Sequence, residues 1–307
     1  LETTSPFISN FSINKGYGTE EFERAVESIQ RINERNRVND RPEVSVIVYS
    51  MIKPPYLTDK QAIEDTVKTG KYVSELRKRT FVDMSMKIEP GVVPKGTLLE
   101  TLYEDKVNGE RRYNPPSYWS VVEILARLED AGAADGVRIG SREDMDAFKA
   151  FPATYHKIGM LAQHDFIIYD AVQKYNTHRS ISRLLAEIEP ALESKSLDDW
   201  MEREDIDDPV FLRMYGGHRA EIDAYQATAA YEERQQFIDV LFQSLDEIEY
   251  GIDTQTKAKT WCQDIEGHKQ EMETELSGIC SKYFGDTDVE LNCIDLIDDD
   301  LGLLRMQ

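Results

Sequence analysis

The chain has 307 residues, 40% of them apolar, enough for one large domain or two ordinary ones around a substantial core. Its 58 acidic and 36 basic residues give a formal net charge of −22, which disfavours general attraction to phosphate backbones or anionic membranes, so a nucleic-acid site has to be a local basic patch. No run approaches the roughly eighteen apolar residues of a membrane span, and the N-terminus has neither the basic nor the apolar region of a signal peptide; the expected location is cytoplasmic, with no membrane contact.

In chain order, the opening LETTSPFISNFSINKG is loop-like and carries no start methionine. Thr19 to Arg35 places Phe22, Val26 and Ile29 at helical spacing, with Thr19 before Glu20 and Glu21 as a helix start. Val44 to Ile52 is an uninterrupted β-branched run, the pattern of a parallel strand, and Lys53-Pro54-Pro55 cannot continue its ladder. A second amphipathic helix begins at Asp59, a second strand runs from Phe81 to Ile88 and ends at Pro90, and a third helix follows Gly96-Thr97. Pro115-Pro116 introduces another, with Trp119, Val122, Ile124 and Leu125 as its buried stripe. Strands alternating with helices through short loops imply right-handed parallel crossovers, and the chemistry of such sheets gathers at the carboxyl ends of the strands.

The second half reads as helical: Asp165 to Lys174, Ser180 to Leu192, His218 to Tyr250 and Thr254 to Cys280, separated by Pro190, Pro209, Gly216-Gly217 and Gly251. Within it, Ala220 to Glu249 has one apolar face, and the tail DVELNCIDLIDDDLGLLRMQ reads as a solvated or frayed terminus, against the alternative of a docking segment. Cys262, Cys280 and Cys293 are too widely spaced for a close-set metal motif and odd in number, and His156 and His164 are the nearest histidine pair. No metal ligands and no catalytic residues are assigned from the sequence.

LETTSPFISNFSINKGYGTEEFERAV, VIVYSMIKPPYLTDKQAIEDTVKTGKYV, VDMSMKIEPGVVPKGTLLETLY and YNPPSYWSVVEIL occur in the order of the corresponding elements of radical S-adenosylmethionine enzymes. The chain resembles the carboxyl-terminal portion of that family, and within it the branch of the radical subunit of archaeosine synthase and its uncharacterised relatives. The resemblance covers residues 1 to about 130. It implies an α/β fold: a partial (βα) radical-SAM-type barrel, last strands only, over 1–140, followed by an α-helical extension over 141–307. In the complete enzyme it implies S-adenosylmethionine and a [4Fe-4S] cluster, with reductive cleavage of S-adenosylmethionine and modification of a nucleoside, a tRNA deazaguanine of the archaeosine type. The family's Cys-x-x-x-Cys-x-x-Cys loop and first three strands are missing. Neither cofactor is therefore expected on this chain alone, and the expected partner is the missing N-terminal half-barrel or a chain supplying it, with tRNA as a further partner. The expectation is a truncated, processed or split enzyme.

By the same resemblance, Glu2 and Thr3 sit at a strand's carboxyl end as contacts to the cofactor; the residues alone allow them to cap the next helix instead. Lys53 would offer its ammonium to a carboxylate or phosphate, against the alternative of a solvated lysine before a turn. Glu89 would accept a hydrogen bond at the next strand end, against that of an exposed loop carboxylate. Arg111 and Arg112, beside Tyr113 and Tyr118, are the RNA-contact candidates. Arg77-Lys78-Arg79 reads as complementing a helix dipole. The rival reading is a non-catalytic interaction protein, or the half of a split enzyme, whose helices bind a partner chain.

Overall fold

A three-stranded parallel sheet organises the computed structural model, which describes residues 1–140, 148–150, 160–229, 231–233 and 235–236. Strand β1 (Val46–Ile52) pairs in parallel with β2 (Met84–Pro90) from Val46↔Met84 to Ile52↔Pro90, and β2 pairs in parallel with β6 (Val137–Ile139). The two runs read from the sequence as strands thus lie side by side and point the same way. The third, Val137–Ile139, was not anticipated; its three residues are too few to show a periodicity.

Side chains alternate across the sheet. Val48, Ser50, Ile52, Met84, Met86, Ile88, Val137 and Ile139 are buried on one face, against which helix α2 (Asp59–Thr80) packs, with helix α4 (Tyr118–Asp130) packed on α2. Thr58 caps α2 by accepting from the Gln61 amide at 3.2 Å, while Gln61 returns an acceptor to the Thr58 amide at 3.1 Å. Gly70 lets α4 come close: a Cβ there would lie 2.6 Å from Leu128 Cδ2. Helix α4 is buried almost all round, as a helix at the centre of a core should be.

Helix α1 (Thr19–Val38) starts at Thr19 as expected, with Gly18 as its cap and Glu21 Oε2 accepting from the Gly18 amide at 3.0 Å. Near its end, buried Asn33 accepts from the Val44 amide at 2.7 Å and donates to the Val44 carbonyl at 2.9 Å, doing for the chain before β1 what a neighbouring strand would do. Arg77 at the end of α2 pairs with Asp135 at 2.7 Å and Arg79 with Glu23 at 3.2 Å, so two of the three basic residues there are ion-paired.

Beyond β2 the chain forms β3 (Val93–Pro94), α3 (Leu98–Glu104) and a small hairpin of β4 (Lys106–Val107) and β5 (Glu110–Arg111); β3 pairs antiparallel with β7 (Phe148–Ala150). In the second half, α5 (Met160–His178), α6 (Ile181–Ile188), α7 (Lys195–Glu204), α8 (Val210–Gly217) and α9 (Arg219–Gln226) follow. One continuous core runs from Val26 in α1 through the sheet to Phe211 in α8 and Ile222 in α9.

Gly216-Gly217, expected to separate the helix from His218 from what precedes it, instead form the last turn of α8, with the break at His218, and the run from Ala220 is not unbroken, because α9 stops at Gln226 and Ala227 caps it. Helices α7 and α8 were not anticipated. The expected helix from Thr254 to Cys280, the three cysteines and the acidic tail lie outside the described residues.

Candidate functional site

The carboxyl ends of β1, β2 and β6 gather most of the residues singled out by sequence. Lys53 follows β1 in the left-handed region, φ +57°, immediately before Pro54, where a non-glycine residue is uncommon. Its side chain turns inward and is 9% exposed. There the ammonium forms an ion pair with Asp59, which is fully buried at the start of α2. The other Asp59 oxygen accepts from the Ser117 amide at 3.0 Å and the Ser120 hydroxyl at 2.6 Å, both at the start of α4. Lys53 is therefore not a solvated lysine before a turn.

Tyr113 closes this cluster from the far side. Its hydroxyl donates to the Lys53 carbonyl at 2.9 Å, its ring lies 5.8 Å from the Lys53 ammonium, and burial, with the Asp59 charge second, pushes its phenol well above the ordinary range. Gly91 is needed at this point: a Cβ there would meet the Ile52 carbonyl at 2.7 Å and the Tyr113 hydroxyl at 2.8 Å. Tyr113, Val93, Leu99, Leu102 and Tyr103 form a small apolar cluster over the strand ends, against which Met51 packs.

Two further buried carboxylates extend the arrangement into the second half. Glu204 of α7 accepts from the Asp59 amide at 3.0 Å and the Lys60 amide at 3.3 Å, capping α2. Glu123 of α4 accepts from the Val210 and Phe211 amides at 3.1 and 3.2 Å, capping α8, and pairs with Arg127 at 2.6 Å. The Trp200 indole donates to the Ser120 hydroxyl at 2.9 Å. The strand ends are thus tied to α7 and α8 by polar contacts that no local spacing announces.

The opening segment lies against β1 and α2. The Glu2 carbonyl accepts from the Ser50 hydroxyl at 2.9 Å, and its carboxylate pairs with Lys15 at 3.2 Å. Thr3 is buried and donates to Asp65 at 2.7 Å, while the Thr4 amide donates to Thr69 at 3.1 Å. Neither Glu2 nor Thr3 caps α1, which Gly18 does. Glu89, at the end of β2, pairs with Lys87 at 2.9 Å. Arg111 and Arg112 stand apart on the β4–β5 hairpin, Arg111 3.7 Å from the centre of the Tyr103 ring and Arg112 paired with Asp105 at 2.9 Å. Trp119 and Tyr118 are core residues.

Burial raises the Asp65 carboxyl above the ordinary carboxylate range, against the opposing Thr3 hydrogen bond and the charge of Lys68. The folded protein binds this proton more tightly than the unfolded chain does. Its stabilising contribution is therefore complete below the unfolded pKa and lost as pH rises through the folded one. Asp65→Asn, which can still accept from Thr3, is expected to be more stable than the parent at pH 7, with the difference shrinking as the pH falls below the ordinary aspartate range. Urea unfolding of both proteins at a series of pH values measures this.

Among the described residues, no group of three His, Cys, Asp or Glu side chains could hold a metal ion, and no helix is long and apolar enough to cross a membrane. What the strand ends hold is a buried ion pair, Lys53 with Asp59, closed over by Tyr113.

No family profile and no solved structure matches the chain. Three curated proteins do. It is 32% identical over 131 residues to archaeosine synthase subunit beta of Methanosarcina acetivorans, covering 43% of this chain and 32% of that protein. It is 30% identical over 125 residues to archaeosine synthase subunit beta of Thermococcus kodakarensis, covering 41% and 32%, and 27% identical over 129 residues to an uncharacterized protein of Methanocaldococcus jannaschii, covering 42% and 30%. The chain thus spans about a third of the length of the curated relatives it matches.

Proposed function

We propose that this chain is the carboxyl-terminal part of a radical S-adenosylmethionine enzyme that acts in archaeosine-type modification of tRNA together with a partner subunit. The observation that carries the reading is the similarity to two proteins named archaeosine synthase subunit beta over some 130 residues. The sheet supports it: helices cover one face, and the described residues place no strand beyond β1. At the other edge, Asn176 of α5 accepts from the Ile139 amide at 2.8 Å and donates to the Ile139 carbonyl at 2.8 Å, so β6 is closed to a further strand there. In this reading β1 is the edge on which the earlier strands of a barrel would add, and β6 is the last strand.

The 307 residues contain no Cys-x-x-x-Cys-x-x-Cys, so the donor set does not fit a [4Fe-4S] cluster and no step is derived through one. The residues described here orient instead. Asp59 and Tyr113 fix Lys53, and Asp65 fixes Thr3 beside the strand ends. Glu2 and Glu89 place carboxylates at the mouth of the sheet, as contacts for S-adenosylmethionine in the complete enzyme.

Deleting the gene in its host and digesting the tRNA to nucleosides for mass spectrometry tests the reading. Archaeosine is expected to fall to background and to return when the full-length gene is restored. Unchanged archaeosine would overturn the assignment.

A further inference from the structure

We propose that Asn108 is a site of spontaneous covalent modification: its carboxamide is lost to attack by the backbone nitrogen of Gly109, and the isoaspartate among the products loosens the cover over the strand ends. Asn108-Gly109 is the single Asn-Gly pair in the sequence. It forms the two-residue tip of the β4–β5 hairpin, between the register partners Val107 and Glu110. Both tip residues have positive φ, +56° and +89°, as a type I′ turn requires. Lys106, Val107, Asn108 and Gly109 are all exposed.

The nucleophile is a backbone nitrogen, and what ordinarily shields such an atom is the side chain of its own residue. Glycine has none, and even a Cβ built on Gly109 would have no atom within 4 Å. The ladder closes at Val107↔Glu110, so the Gly109 amide lies outside it. With only two register pairs the hairpin is marginal by itself, and its tip opens locally, letting the Asn108 ψ rotate until the carboxamide carbon faces the nitrogen. Asn33 and Asn176 make the contrast: each sits within a helix, and each carboxamide is held by two hydrogen bonds, to Val44 and to Ile139.

In the first step a bond forms between the Gly109 nitrogen and the Asn108 carboxamide carbon, while the bond from that carbon to its NH2 group breaks. The NH2 leaves as ammonia, taking the proton that Gly109 gives up. Water then opens the cyclic imide at either carbonyl, giving aspartate or isoaspartate, and in isoaspartate the main chain runs through the former side chain and is one carbon longer. That extra carbon puts Val107↔Glu110 and Lys106↔Arg111 out of register. The slack passes directly to Arg112, whose amide donates to the Asp105 carbonyl at 3.1 Å, and to Tyr113, whose amide donates to the Leu102 carbonyl at 3.2 Å. Tyr113 is the residue that closes over Lys53. The inference stands on the hairpin and not on the assignment to tRNA modification.

Incubating the full chain for days at mildly alkaline pH, with peptide mapping by mass spectrometry, tests it. The peptide holding Asn108 is expected to gain about one dalton and to separate into two products, while those holding Asn33 and Asn176 stay intact. Gly109→Ala should slow the gain severalfold by shielding the nitrogen. Hydrogen exchange then reads the consequence: the Arg112 and Tyr113 amides should exchange severalfold faster in aged protein than in fresh. Asn108→Asp, which adds the charge without lengthening the chain, should leave them at the fresh rate. An Asn108 that ages no faster than Asn33 and Asn176, or a rate unaffected by Gly109→Ala, would overturn the site. Unchanged exchange after ageing, or equal acceleration by Asn108→Asp, would overturn the loosening.

Discussion

Asp59→Ala is expected to destabilise the fold by about 3–5 kcal/mol, the cost of leaving a buried charge without its partner. Asp59 is fully buried and Lys53 nearly so, and among the described residues Asp59 is the carboxylate with which the ammonium pairs. The same carboxylate also receives the Ser117 amide and the Ser120 hydroxyl, so alanine removes two further acceptor contacts at the start of α4. Three variants separate these contributions. Asp59→Asn keeps an acceptor but strands the ammonium; Lys53→Met strands the carboxylate; the double variant removes both charges. Urea unfolding should show each single variant well below the parent and the double variant less destabilised than the sum of the two. A loss under about 1 kcal/mol for Asp59→Ala would show that the pair behaves like an exposed one.

Trp200→Ala should cost a comparable amount, about 3–5 kcal/mol as for other large aromatic truncations in a core. Trp200 is 1% exposed, packs with its ring 6.2 Å from that of Phe211, and donates to Ser120. Trp200→Phe retains most of the packing and removes the donor, so it should cost only about 0.5–1.5 kcal/mol. Loss of fluorescence-detected and circular-dichroism-detected structure at one common urea midpoint is the expected result, since α7 shares its core with the sheet. Two separate transitions in the parent would contradict that expectation.

What could be read from residues in order is what depends on local pattern. Val44 to Ile52 announces a parallel strand through its β-branched run, although only the Val48, Ser50 and Ile52 side is buried and Ile47 and Tyr49 are exposed, and Thr58 with Gln61 announces the start of α2 through a capping box. The sheet's third strand is hidden because Val137–Ile139 is held by pairing with β2 and by Asn176, not by any preference of its own. Helices α7 and α8 are short, ten and eight residues, and depend on tertiary contacts: Trp200 is buried among α4 residues, and α8 begins where Glu123 accepts its first amides.

The candidate site divides the same way. Lys53 stands out beside two prolines, but that its charge is met by Asp59, six residues on, appears only when the chain turns back on itself. Arg111 and Arg112, conspicuous as a basic pair, lie against Tyr103 and Asp105 at the end of α3, contacts that appear only once the chain has folded.

Asn176 has a consequence for how the molecule is made. A carboxamide carries a donor and an acceptor at nearly the spacing of a peptide group, so its two bonds to Ile139 act as a seal on an otherwise sticky border. The seal is synthesised 37 residues after the strand it protects. As the chain emerges from the ribosome there is an interval in which β6 is finished but still able to recruit a foreign strand, and it ends only when α5 arrives. A cell that slowed translation between those two points would lengthen the exposure.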